Sequence, residues 1–147
     1  MKILVTGGAG FIGSHLCERL VLEGHSIKVI DNFSIGRKSN LNKIKNKIKI
    51  YNKDIRNYDL IKKLFKNIDM VFHLAALADI VPSIENPDEY YSTNVTGTYN
   101  VLKLSSENKV KRFIYTASSS CYGIPNQYPT KETAKVDPQY PYALTKR

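Results

Sequence analysis

Short apolar runs alternate with longer amphipathic stretches along the whole chain. Lys2–Thr6 (KILVT), Ser26–Ile30 (SIKVI), Ile48–Tyr51 (IKIY), Asp69–His73 (DMVFH) and Arg112–Thr116 (RFIYT) are rich in Ile, Val, Phe and Tyr and too short for core helices, so each is predicted as a strand. Between them lie helical patterns. In Phe11–Glu23 the residues Ile12, Leu16, Leu20 and Val21 fall on one stripe, and Gly24 stops the helix. Tyr58–Lys66, with Leu60, Ile61, Leu64 and Phe65, predicts a short helix, and Glu89–Asn108 a long one. Residues 32–47 read as a polar loop with a short helix around Leu41–Ile44, and Tyr140–Arg147 opens a last helix.

Strands that alternate with helices imply βαβ units joined by right-handed crossovers. The predicted fold is therefore α/β, a doubly wound parallel sheet of the Rossmann type formed by residues 1–147 as one domain. Ligands on such sheets sit at the carboxyl ends of the strands. Gly7–Gly13, Asp31, His73–Ala76 and Ser118–Ser120 each follow a predicted strand directly. The topology therefore gathers all four groups on one edge.

Composition narrows the class. At 147 residues the chain has room for one sizeable core. With 42% apolar and 24% charged residues it matches soluble globular proteins. The apolar start resembles a signal peptide, but Gly7, Gly8, Gly10 and Gly13 interrupt it and no compact cleavage site follows. No run is long enough to span a membrane, and a cytoplasmic location is expected. Cys17 and Cys121 lie far apart, and His15, His25 and His73 share no metal-ligand spacing with them, so neither a disulfide framework nor a metal is expected. The net charge of +9 raises nucleic-acid binding. The basic residues, however, cluster in Arg37–Lys38 and in Lys43, Lys45, Lys47, Lys49 and Lys53 among Ile and Asn, with no aromatic platform between them. A solvated basic face, attractive to an anionic nucleotide, fits better.

Two motifs carry chemistry. Gly8-x-Gly10-x-x-Gly13, overlapping Gly7-x-x-Gly10-x-x-Gly13, follows one strand and opens a helix. Alone such a string also fits an ordinary Gly-rich turn. With the strand before it, the helix after it and Asp31 at the end of the second strand, it reads as a dinucleotide loop. One glycine makes the tight turn, one lets the backbone approach a pyrophosphate, and one lets helix and strand pack closely. The helix N-terminus offers unpaired N–H groups to the phosphates. Asp31 would accept the adenine-ribose hydroxyls and repel a 2′-phosphate, which favours NAD over NADP.

The second motif is Tyr142-x-x-x-Lys146 at a predicted helix start. Residues four apart share a helix face. A Tyr acting as a base must ionise well below the ordinary ~10, and a neighbouring ammonium favours the phenolate. A hydroxyl from Ser118–Ser120 could hydrogen-bond the substrate oxygen and relay a proton. Each piece alone is common; their joint presence with the glycine loop gives them weight.

These residues also carry a family resemblance. TGGAGFIGSHL (Thr6–Leu16), IDNFSIG (Ile30–Gly36), KDIRN (Lys53–Asn57), VFHLAALADIVPSIENP (Val71–Pro87), YYSTNVTGTYNVL (Tyr90–Leu102), FIYTASSSCYG (Phe113–Gly123) and YPYALTKR (Tyr140–Arg147) resemble, in order, the extended short-chain dehydrogenase/reductases, in their NAD-dependent sugar-nucleotide epimerase/dehydratase branch. The resemblance implies site roles. Gly7, Gly10, Phe11, Ile12 and Gly13 would line the pyrophosphate, and Asp31 and Asn32 the adenosine ribose. Asp54 and Ile55 would flank the adenine. Leu74, Ala75 and Ala76 would run beside the nicotinamide ribose, and Asn94 would lie inside the fold near the cofactor. Ser118, Tyr142 and Lys146 would be catalytic, Tyr142 and Lys146 also touching NAD, and Ser83 and Ser119 would lie with Ser118 near the sugar.

The implied activity is a nucleotide-sugar 4-epimerase acting on a UDP-hexose. Dehydratases of the branch place Asp-Glu directly after the catalytic Ser/Thr. Here Ser119 and Ser120 stand there, which removes the acid needed to eliminate water. A non-catalytic NAD-binding module, and a reductase, decarboxylase or dehydratase of the same family, stay open. Family members are more than twice this long and dimerise through a helix bundle. The resemblance therefore implies a C-terminally truncated chain whose Tyr142 lies on a frayed terminal turn, with weak NAD binding, no turnover and a doubtful dimer.

Overall fold

The computed structural model describes residues 1–147 and divides into two compact units: Met1–Ala75 with Thr96–Thr116, and Ala76–Val95 with Ala117–Arg147. The first holds the sheet. Strands β1 (Lys2–Thr6), β2 (Ser26–Asp31), β3 (Ile48–Asn52), β4 (Met70–His73) and β5 (Arg112–Tyr115) pair in the order β3-β2-β1-β4-β5, all parallel.

Alternation along each strand builds two cores. Ile3 and Val5 of β1 and Ile27 and Val29 of β2 face one side, where helix α1 (Phe11–Leu22) packs with Cys17 and Leu20. Leu41 and Ile44 close the same side. Leu4, Ile30 and Val71 face the other side, against Ile61 of α2 (Tyr58–Ile61), Phe65, and Val101 and Leu104 of a further helix, Gly97–Glu107. Both faces being covered, every strand but the edge strands β3 and β5 reads as nearly continuous apolar sequence.

Several boundaries differ from the sequence reading. The helix expected over Tyr58–Lys66 stops at Ile61 and continues as a tighter 3-10 turn, Lys62–Phe65. There the Leu64 carbonyl accepts from Lys28 Nζ at 2.9 Å. The short turn in the polar loop spans Lys38–Leu41, with Leu41 as its last residue.

In the second unit a helix absent from the sequence reading, α3 (Ile80–Glu85), precedes α4 (Pro87–Tyr90). Pro82 sits in the first turn of α3, where its missing N–H costs no intrahelical bond. The long helix expected from Glu89 is in fact α4, a π-helical segment Tyr91–Thr96, and α5 (Gly97–Glu107). Pro87 at the first helical position sets the earlier start. A 3-10 turn follows at Ser119–Tyr122, and α6 (Pro141–Thr145) ends the ordered elements. No helix is long and apolar enough to cross a membrane.

Candidate functional site

The strand order places a topological switch point between β1 and β4, and both strands end there in chemistry-bearing residues. Gly7 follows β1 at φ 70°, and a Cβ on it would lie 2.6 Å from the Ala75 nitrogen. Only glycine fits, because the backbones after β1 and β4 touch. At Gly13 a Cβ would lie 2.2 Å from the Gly7 carbonyl oxygen, so this glycine lets α1 close on the turn. Gly10 differs: a Cβ there would meet only that same oxygen, at 3.3 Å. Gly10 is thus the least crowded of the three, a side chain there requiring the Gly7 carbonyl to give by a few tenths of an ångström.

Gly10 is the N-cap of α1, its residue type offers no side-chain cap, and no acid lies in the first turn. The leading N–H groups of Phe11 and Ile12 therefore have no intrahelical acceptor. Phe11 and Ile12 themselves are 79% and 62% exposed, apolar side chains left uncovered at the start of α1.

Asp31 ends β2 almost buried and serves the loop directly. Its Oδ2 accepts from the Ala9 N–H and its Oδ1 from the Phe33 N–H, both at 2.8 Å. The Ala9 carbonyl in turn accepts from Arg37 N–H at 3.1 Å and from Asn40 Nδ2 at 2.8 Å. The middle of the glycine loop is thus clamped on both sides. Burial and the Asp31 charge push the Cys17 thiol up to about 12, so Cys17 acts as a core side chain.

Next to Asp31, Asn32 Nδ2 donates to Asp54 Oδ2 at 3.0 Å, and Arg56 forks onto Asp54 with contacts of 2.7 to 3.1 Å. Burial raises the Asp54 carboxyl, but bonds from Arg56 and Asn32 and the guanidinium charge outweigh it and hold it below its ordinary value. Ile55 points elsewhere: it is buried, with its side chain under Gly97, and its carbonyl accepts from Asn100 Nδ2. Leu74 and Ala75 hang on Thr6, through its carbonyl at 3.1 Å and its hydroxyl at 3.3 Å.

In the second unit, Tyr142 occupies the first turn of α6. Its ring stacks on Tyr140 with centroids 6.4 Å apart and meets Tyr90 edge-on at 6.5 Å. Burial, with the Asp79 charge, raises the Tyr90 phenol. Lys146 caps the C-terminus of α6 at 5% exposure, and burial pushes its ammonium down to about 8. Ala143 and Thr145 are also buried, and α6 packs on α3, α4 and the turn after Ser118. The frayed final turn expected from the sequence is instead a packed one. Ser118 caps that turn, its Oγ accepting from Ser120 N–H at 3.2 Å and pairing with Ser120 Oγ at 2.7 Å. Ser119 is exposed.

Asn94 is the hub of this unit. Buried in the π-helical segment, its Oδ1 accepts from Leu77 N–H at 2.8 Å. Its Nδ2 donates to the Leu77 carbonyl at 2.9 Å and to Thr145 Oγ1 at 3.0 Å. Thr145 Oγ1 donates onward to the Tyr142 carbonyl at 2.9 Å. Both amide hydrogens and the amide oxygen have partners within the protein, so Asn94 orients its neighbours. Ser83 is fully buried and donates to the Ile80 carbonyl at 2.6 Å. An open groove of about 490 Å³ runs along α4 and α6, lined by Tyr91, Tyr140, Leu144 and Thr145 among others; Ser118, Tyr142 and Lys146 lie outside its lining.

A model of the NAD dependent epimerase/dehydratase family matches residues 3–147. The chain belongs to that family. Among relatives in the epimerase/dehydratase family, a UDP-glucose 4-epimerase of Lactobacillus helveticus is 37% identical over 148 aligned positions, covering 99% of this chain and 44% of the relative. Among solved structures, a UDP-glucose 4-epimerase of Thermotoga maritima with UDP-glucose superposes with a TM-score of 0.94 at 37% identity, over 99% of this chain and 48% of that one. The Bifidobacterium longum enzyme in complex with NAD+ and UDP gives 0.92 at 33% identity, over 99% and 46%. The chain thus spans less than half the length of each family member it matches here.

Sequence reading missed several residues that brace the candidate residues within each unit: Thr6, Asn40 and Arg56 in the first, Thr145 in the second. Thr6 and Thr145 adjoin motifs in sequence, and a polar residue closing an apolar strand was a usable signal for Thr6. Nothing in the pattern singled out Asn40.

Proposed function

We propose that the chain binds NAD on the loop Gly7–Gly13 and belongs to a nucleotide-sugar 4-epimerase acting on a UDP-hexose. The observation that carries the reading is Gly10. A Cβ would stand 2.6 Å and 2.2 Å from backbone atoms at Gly7 and Gly13, but 3.3 Å from a single backbone oxygen at Gly10, the least crowded of the three and the N-cap of α1, whose N-terminus has no side-chain cap. A pyrophosphate supplies both the close approach and the negative charge that such a helix N-terminus favours.

In this reading Gly7, Gly10, Phe11, Ile12 and Gly13 hold the pyrophosphate. Asp31 and Asn32 hold the adenosine ribose, and Asp54 with the Ile55 main chain flanks the adenine. Leu74, Ala75 and Ala76 flank the nicotinamide ribose. NAD, when bound, supplies reversible hydride exchange with the sugar carbon. Tyr142 takes the proton of the 4-hydroxyl and later returns it. Lys146, still mostly protonated at neutral pH with its ammonium at about 8, places a positive charge one turn from Tyr142. Ser118 hydrogen-bonds the reacting oxygen, and its own bond to Ser120 fixes its hydroxyl. Asn94 acts through Leu77 and Thr145, holding α6 in place. With Ser119 and Ser120 after Ser118, no carboxylic acid stands ready for dehydration, which favours epimerisation. Ser83, buried as it is, would reach a sugar only through its neighbours.

Titration of the purified chain with NAD by calorimetry, followed by an assay of UDP-glucose and UDP-galactose interconversion, tests the reading. Binding that Gly10→Val abolishes, with turnover that Tyr142→Phe abolishes while NAD affinity is kept, is the expected result. Binding without interconversion assigns residues 1–147 by themselves as an NAD-binding module. Absence of NAD binding defeats both.

A further inference from the structure

His73 is buried to 1% exposure at the end of β4, and nothing in the proposed chemistry uses it. Its face of the sheet is set by alternation: Val71 and His73 point to the side covered by α5, as do Leu4 and Thr6 on β1. Thr6 is its register partner, and Thr6 Oγ1 lies 2.6 Å from His73 Nδ1. On the opposite edge of the ring, Nε2 lies 2.8 Å from Thr98 Oγ1 on α5. Tyr115 stacks on the ring at 5.9 Å and 20°, and Phe113 lies at the same distance, tilted by 34°. The imidazole is therefore held in one orientation, bridging strand β1 and helix α5 beneath the switch point.

The hydroxyl of Thr6 also accepts the Ala75 N–H. The Thr6 hydroxyl keeps its own proton, which His73 Nδ1 is placed to accept; with the proton donated there, Nε2 carries the ring proton and donates to Thr98 Oγ1. Ala75 is also the residue whose backbone excludes a Cβ at Gly7. One chain of bonds, Thr98–His73–Thr6–Ala75, thus sets how closely the backbone after β4 approaches the first glycine of the dinucleotide loop.

We propose that His73 is a positioning residue for the cofactor site. Its neutral Nε2–H tautomer, bridging Thr6 and Thr98, fixes the approach of Ala75 to Gly7 and so preorganises the loop that binds NAD. The proposal rests on the NAD-binding reading above. A hydrogen bond of this kind contributes about 1 kcal/mol net, equivalent to about fivefold in affinity; with two bonds in series the effect on NAD binding is larger when the ring itself is replaced.

The test compares NAD affinity by calorimetry and ring ¹⁵N spectra for the 147-residue chain and its variants, with thermal melts to confirm folding. Thr98→Val, isosteric and outside the loop, is expected to weaken NAD binding about fivefold, and Thr98→Ser to restore it to within about twofold. His73→Asn, if folded, is expected to weaken it about tenfold or more. The wild-type spectrum is expected to show Nε2 protonated and Nδ1 bare. If wild-type NAD binding is absent, the NAD-binding reading fails first. If wild type binds but Thr98→Val and Thr98→Ser bind equally well, or the ring is protonated at Nδ1, the role given to His73 is overturned. Should His73→Asn fail to fold, the Thr98 pair and the spectrum decide alone.

Discussion

The carboxylate of Asp31 holds the backbone N–H of Ala9 at 2.8 Å, so the acid that ends the second strand also anchors the glycine loop that follows the first. Its other oxygen takes the Phe33 N–H. An acid whose only task was to meet a ribose would be dispensable to the apoprotein; this one is not. Asp31→Ala should cost at least about 2 kcal/mol of stability, since hydrogen bonds to a charged acceptor contribute about 1.5–3 kcal/mol each, together with most of the NAD affinity. Urea denaturation of the apoprotein and calorimetry read the two effects separately. Unchanged apo stability would reduce Asp31 to a ligand contact alone.

Two glycines with nearly the same backbone angle separate conformational cost from crowding. Gly7 has φ 70° and Gly24 φ 79°. Around Gly24 an added Cβ meets nothing within 4 Å, whereas at Gly7 it would sit 2.6 Å from the Ala75 nitrogen. Gly24→Ala should therefore lose about 1–2 kcal/mol, the left-handed penalty alone. Gly7→Ala should lose clearly more, because two backbones must part as well. Equal losses in urea denaturation would mean that the contact between the β1 and β4 ends is loose.

How much of this was legible follows from where the period is clean. The five strands were readable because Ile, Val and Phe crowd short segments bounded by glycine, acids and basic turns. Within the first unit, the common edge of Gly7, Asp31 and Leu74 was readable because each lies at or just after the end of a parallel strand. What failed to show was helix detail. α3 hid behind Pro82, whose place in a first turn is invisible without the fold. In the turn after Ile61 the Leu64 carbonyl takes Lys28, far away in sequence, as its partner, which no local period shows. Spacing was legible where the constraint is local: Gly7 and Gly13 fall where backbones approach closely, and Tyr142 and Lys146 fall four apart on and after one short helix. The division of labour was not. That Asn94 is spent wholly on Leu77 and Thr145, that Ile55 is a core residue, and that Ser83 is sealed against Ile80 are facts about distant partners.

Asn94 gives a prediction that does not depend on turnover. Replacing it with Ala strips hydrogen bonds from both the N–H and the carbonyl of Leu77 and from Thr145. Buried groups left unpaired cost about 1–3 kcal/mol each. The loss should be local, because these partners all belong to the second unit. Hydrogen exchange should show α6 and Leu77 losing protection in Asn94→Ala while β1, β2 and β4 keep theirs. Asn94→Asp should not rescue, since its second oxygen would face the Leu77 carbonyl. Uniform loss of protection across the sheet would rule out this local role.

Lys146 yields a pH dependence whose sign is fixed by the direction of its shift. Burial lowers its ammonium from 10.5 to about 8 in the folded chain. Below about pH 8 both folded and unfolded forms carry the proton, and the net cost of holding the charged form in the folded state is constant. Between about 8 and 10.5 the unfolded chain binds more protons than the folded one, so stability rises with pH through that window. Above 10.5 both are neutral and the cost is gone. Tyrosines and other lysines titrate in the same range, so the informative quantity is the difference between wild type and Lys146→Met, in which their contributions cancel. Lys146→Met should be the more stable protein at pH 7, by an amount that shrinks as pH climbs from 8 to 10.5. A constant difference over that range would mean that Lys146 keeps an ordinary ammonium in the folded chain.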